Sequence, residues 1–142
     1  MSLVKGKVMI IYRIEHLSDG TGPYSRESLT DEESAKVYEI VWRDWNDEYQ
    51  PCPYEDGIFD SFDETDRHKH YRYAFACLDD LFNWFNIDKV SGLIDYGYVI
   101  AEYKVSAAYV RMGRRHLAYN VSKASCLALY DTFEFMANNP VY

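Results

Sequence analysis

The run Val8 to His16 alternates, with Val8, Ile10, Tyr12 and Ile14 on one side and Met9, Ile11, Arg13 and Glu15 on the other. A period of two rich in β-branched residues suits a strand, so the fold has to supply a sheet for it to join. The period changes after Thr30. Thr30-Asp31-Glu32-Glu33 offers an N-cap followed by acids in a first turn. Val37, Tyr38, Val41, Trp42 and Trp45 then recur at helical spacing, which predicts a helix over 31–45 with a broad apolar face. Between strand and helix, Asp19-Gly20-Thr21-Gly22-Pro23 is dense in turn formers.

Periodicity dissolves over 46–70, a long acidic loop that holds Pro51-Cys52-Pro53-Tyr54-Glu55-Asp56-Gly57. Loops of this length are usually functional. Residues 71–77 read as a strand, and Leu78, Leu81, Phe82 and Phe85 mark a short helix. Val90, Leu93 and Ile94 repeat the spacing, with Gly97 as a C-terminal stop. A strand from Tyr98 is expected to run to Val105 and on toward Arg111. Met112-Gly113 forms the two-residue turn, and 114–121 returns as the partner strand. Ser122 caps a final helix with the stripe Cys126, Tyr130, Phe133 and Ala137. This order predicts a single α+β domain over 1–142, its sheet antiparallel or mixed and its helices packed mainly on one side. The first eight residues read as an N-terminal tail or extension.

Charge narrows the function. The chain has 142 residues and a net charge of −8, and 48% of its side chains are hydrophobic. Purely electrostatic nucleic-acid binding, anionic-membrane binding and disorder are therefore excluded. The acids concentrate early: residues 1–66 hold 6 basic and 16 acidic side chains, and 67–142 hold 9 and 7. Three cysteines without CxxC spacing, Cys52, Cys77 and Cys126, fit neither a disulfide framework nor a zinc ribbon. Cys77 and Cys126 read as buried small hydrophobes. No apolar run reaches the length of a membrane span, so the expected location is the cytoplasm of a bacterial host.

The hairpin at Met112-Gly113 is the most informative local feature. A two-residue loop there sets Arg111 opposite Arg114 and Tyr109 opposite His116, all on one face. Facing like charges destabilise a ladder unless an anion lies between them. Guanidinium groups suit phosphate, and an aromatic ring can stack on a base. A solvated tip whose arginines pair with acids of the first half accounts for the same letters. Trp84 falls about 110° from the Leu78, Leu81, Phe82 and Phe85 stripe at about 100° per residue, which places it at the core's edge, while Phe82 follows the stripe. Tyr24 and Arg26 follow the glycine-rich turn, where backbone N–H groups and an arginine can meet phosphate. An ordinary turn explains them equally well. His68 and His70 lie near Asp56, Asp60, Asp63, Glu64 and Asp66, but HxH among irregular acids is a weak metal motif, and a charged loop is the simpler account. No P-loop, GxSxG or HExxH occurs, so no catalytic residue, cofactor or metal is assigned.

Tyr12-Arg13-Ile14-Glu15-His16, Gly22-Pro23-Tyr24, the 51–57 loop and the Trp84-Phe85 pair together resemble small phage and prophage proteins. Among these the chain resembles the Thoeris anti-defence sponges, which capture cyclic ADP-ribose isomers made by a host TIR-domain enzyme. The resemblance implies a non-enzymatic, homo-oligomeric nucleotide trap that holds its ligand with arginine and aromatic side chains, types that recur at Arg26, Phe82, Trp84, Tyr109, Arg111 and Arg114; together with Tyr24 of the turn and His116 of the hairpin these are the candidate ligand-binding residues. It implies a cyclic nucleotide as partner, while the net charge and the lack of an apolar span argue against a membrane or direct nucleic-acid binding. The alternative is an acidic phage inhibitor that masks a host protein or a nucleic-acid-binding surface.

Overall fold

A computed structural model describes residues 7–62 and 70–130 of the chain. It is an α+β fold with two antiparallel three-stranded sheets. The first sheet is ordered β1 (Val8–His16), β3 (Tyr98–Ser106), β6 (Ala124–Tyr130); the second is β2 (Tyr71–Ala74), β5 (Leu117–Asn120), β4 (Val110–Met112). The helices are α1 (Asp31–Trp42), α2 (Leu78–Trp84) and α3 (Ile87–Ile94). A bridge between Tyr12 and Phe75 ties β1 to the end of β2, with Tyr12 N–H donating to Phe75 O at 2.9 Å and Phe75 N–H returning to Tyr12 O at 2.7 Å.

The alternation of β1 divides the interior. Ile14, with Tyr98 and Ile100 of β3, packs against Val37, Ile40 and Val41 of α1, Leu81 of α2, and Val90 and Leu93 of α3. Ile11 lies on the opposite face and joins Val105, Ala74, Val110, Leu117 and Tyr119 of the two sheets. The helices thus cover one face of the first sheet, and the second sheet closes against the other. Each buried Val, Leu or Ile contributes roughly 1.5–3 kcal/mol relative to exposure.

Local signals succeed at α1. Thr30 Oγ1 accepts Glu33 N–H at 3.2 Å, and Glu33 Oε1 accepts Thr30 N–H at 3.0 Å, a reciprocal capping box. The helix stops at Trp42 instead of residue 45, because Arg43 is extended and Asp44 takes a positive φ of 54°. Its buried stripe is Val37, Ile40 and Val41, whereas Tyr38 and Trp42 are exposed.

Other expectations are corrected. β3 ends at Ser106, where Ser106 Oγ accepts Ala108 N–H at 3.3 Å and turns the chain into a 3-10 segment, Ala107–Tyr109. The next hairpin pairs Arg111 with Ala118 and Met112 with Leu117, so its tip is Arg114-Arg115 and not Met112-Gly113. Arg111 therefore does not face Arg114, nor Tyr109 His116. The expected last helix is β6 from residue 124 to 130, because the open edge of β3 offers hydrogen-bond partners, including Ile100 opposite Tyr130. Its stripe members Phe133 and Ala137 lie outside the described residues. Of the first eight residues, expected as a tail, Val8 is in β1 and Lys7 O accepts Ala107 N–H at 3.0 Å, while 1–6 lie outside the described residues. Cys77 and Cys126 are exposed, as is Cys52.

Candidate functional site

A pocket of about 650 Å³ opens beside the inter-sheet bridge. That volume suits a nucleotide-sized molecule. The turn after β1 supplies Gly22, Pro23 and Tyr24; the end of α1 supplies Trp42 and, just beyond it, Trp45; the long loop supplies Pro51, Cys52 and Pro53. β2 and its continuation add Tyr71, Arg72, Tyr73 and Phe75, while Trp84, Phe85, Arg13 and His116 complete the lining.

The aromatic wall is held by edge-to-face and tilted contacts. Trp42 and Trp45 have centroids 4.3 Å apart, Tyr24 stands 5.7 Å from Trp42, and Phe75 lies 5.6 Å from Trp84. The Trp84 indole N–H donates to Tyr24 Oη at 2.8 Å. Burial of that hydroxyl raises the Tyr24 pKa to about 12, against the opposing effect of the indole donor. Gln50, itself buried, donates to Trp84 O at 2.8 Å and so pins the loop to α2.

Arg13 and Arg72 also line the pocket. Arg13 is 4% exposed. Its Nη1 donates to Tyr73 O at 3.1 Å and its Nη2 to Gly20 O at 3.2 Å. Nε lies 3.2 Å from Glu15 Oε1, close enough for charge pairing, yet its N–H is not aimed at an acceptor among the described residues. Glu15 Oε1 also accepts the Tyr103 hydroxyl at 2.7 Å, and burial together with that carboxylate pushes the Tyr103 pKa up. A Cβ on Gly22 would stand 3.2 Å from Arg13 Nη2, and one on Gly20 2.9 Å from Arg72 Nη1. Gly20 and Gly22 thus leave room for both guanidinium groups.

His116 closes the wall between Trp84, at 4.6 Å, and Tyr73, at 5.6 Å. Its Nδ1 is 2.8 Å from Asp56 Oδ2. Asp56, 1% exposed, also accepts the N–H of Arg115 at 2.8 Å and of His116 at 2.9 Å. Gly113 makes this approach possible: a Cβ there would collide with the Asp56 carboxylate and stand 2.7 Å from Ile58 Cγ1.

Of the sequence-derived candidates, the fold brings Tyr24, Trp84 and His116 to this pocket. Trp84 is core and not edge, 7% exposed, because α2 is short and the long loop and Tyr24 cover its outer side. His116 is buried rather than presented at a hairpin tip. The remaining five lie elsewhere. Arg26 Nε donates to Ser34 Oγ at 3.0 Å, with its guanidinium 5.2 Å from the Tyr38 ring. Phe82 packs half-buried on the main core. Tyr109 sits under the Lys123 ammonium at 5.3 Å. Arg111 Nη1 donates to Ala108 O at 2.9 Å. Arg114 Nη2 donates to Glu55 O at 2.5 Å and borders a separate cleft with Asp47 and Glu48.

Sequence reasoning missed Arg13, Trp42, Trp45 and Arg72 as lining residues. The Arg13 signal was a charged pair, Arg13 and Glu15, on the strand side that Met9 and Ile11 begin. His70 lines the pocket, while His68 lies outside the described residues. Among the described residues no group of three His, Cys, Asp or Glu side chains could hold a metal ion, and no helix is long and apolar enough to cross a membrane. A family model described as Bacteriophage T4 Y00F protein matches residues 9–132. No curated protein and no solved structure matches the chain.

Proposed function

The chain belongs to the Bacteriophage T4 Y00F protein family, and on that premise we propose that it binds and sequesters a cyclic nucleotide immune signal of the cyclic ADP-ribose kind without turning it over. The observation that carries this reading is the pocket's mixed lining, which combines the rings of Tyr24, Trp42, Trp45 and Trp84 with Arg13 and Arg72. Adenine asks for an aromatic surface, and a diphosphate asks for charge-assisted N–H donors. Glu15 offsets part of the charge of Arg13, so Arg72 is the arginine on which the attraction for an anion chiefly rests in a chain of net charge −8.

The arginines expected to meet the diphosphate change: Arg13 and Arg72 take the place of Arg111 and Arg114. Masking of a host surface by the acidic first half draws on less, because Glu33 is engaged in the α1 capping box beside Asp31 and Glu32.

Titration calorimetry with cyclic ADP-ribose isomers tests the reading. Binding is expected, with the ligand recovered unaltered after denaturation, and Arg72→Ala should weaken affinity about tenfold or more through loss of a charge-assisted contact. Absence of heat, or conversion of the ligand, overturns it.

A further inference from the structure

His116 lines the pocket, and its partner Asp56 is buried outside the lining. An ionised carboxylate is acceptor-only, so a ring nitrogen held against it must carry the proton. Asp56 already accepts backbone N–H groups from Arg115 and His116, which fixes its carboxylate in place before the imidazole meets it. Contact at 2.8 Å between Nδ1 and Oδ2 then selects the Nδ1–H tautomer and leaves Nε2 with a lone pair. Among the described residues Nε2 accepts no hydrogen bond, and His116 lines the pocket among Trp84 and Tyr73. Desolvation by burial lowers the His116 pKa, against the pull of Asp56, and so favours the neutral imidazole.

We propose that His116, oriented by Asp56, is a specificity-determining acceptor that selects ligands presenting an N–H donor on the base edge, such as the exocyclic amine of adenine, over ligands presenting a carbonyl there. This rests on the sequestration reading and names what the aromatic wall recognises. A carbonyl oxygen facing the Nε2 lone pair leaves two acceptors opposed and unpaired in a desolvated site, which is the kind of mismatch that discriminates strongly.

Two measurements on the full chain test it. Long-range ¹H–¹⁵N NMR of the free protein reads the tautomer directly: a protonated Nδ1 and unprotonated Nε2 are expected, and an Nε2–H tautomer or an imidazolium at neutral pH overturns the proposal. Calorimetry compares a cyclic ADP-ribose isomer bearing a free exocyclic amine with its N1-methylhypoxanthine counterpart, which offers a carbonyl and no N–H on that edge. The adenine form should bind about tenfold or more tightly, and Asp56→Asn, which lets the ring nitrogens exchange roles, should erase or invert that ratio. His116→Gln provides a second variant that keeps a hydrogen-bonding side chain should Asp56→Asn fail to fold, and it too should erase the preference. Equal affinity in the wild type overturns this inference while leaving sequestration standing, whereas no binding of either ligand overturns both.

Discussion

At the scale of single residues, burial and not exposure marks the groups that matter. His116 is 6% exposed and titrates below its ordinary value of 6.5, chiefly because burial disfavours the imidazolium. The sign follows from linkage. The unfolded chain takes up this proton as pH falls past 6.5 while the folded chain resists it, so the group's stabilising contribution is complete above 6.5 and is lost as pH drops toward its folded value. Urea midpoints should therefore decline between about pH 7.5 and about pH 5.5, and His116→Gln should flatten that part of the curve. A midpoint unchanged by the substitution across this range would contradict the assignment. Gly113 supports the same pair by close approach rather than by an unusual φ, since no side chain fits between it and the Asp56 carboxylate.

At the scale of elements, what was legible in the sequence was what short-range chemistry decides. β1 follows from alternation, and the start of α1 follows from Thr30 and Glu33, which satisfy each other's backbone donors without help from elsewhere. Thr30→Ala should cost about 1 kcal/mol in chemical denaturation, the usual worth of an N-cap, with pocket residues undisturbed. The turn between β4 and β5 was not legible. Its register depends on Asp56, which holds Arg115 and His116 from a loop about sixty positions away in sequence, and no local pattern encodes that reach. β6 failed for the converse reason. Cys126 and Tyr130 fit helical spacing, but the unpaired edge of β3 favours a strand, and tertiary pairing overrides local preference. In the candidate site, Tyr24, Trp84 and His116 could be found from residue type. Arg13 was hidden by reading as the polar member of an alternating strand, and Trp42 and Trp45 by reading as the core face of a helix.

At the scale of the whole molecule, the first sheet is shared by two interiors, helices on one face and the second sheet on the other, and the pocket opens where the Tyr12–Phe75 bridge joins the sheets. Loops from before and after α1 roof it, so segments far apart in the chain meet around one space. All 3 tryptophans of the chain, Trp42, Trp45 and Trp84, border that space. The protein consequently carries its own optical reporter: indole emission arises only at the pocket wall, with no background from remote positions. A molecule that stacks there should quench or shift that emission saturably, and one that docks on the acidic first turn of α1, about two and a half turns from Trp42, should leave the spectrum untouched. Unlabelled protein in a fluorimeter can thus separate occupancy of the cleft from attachment to the outer surface.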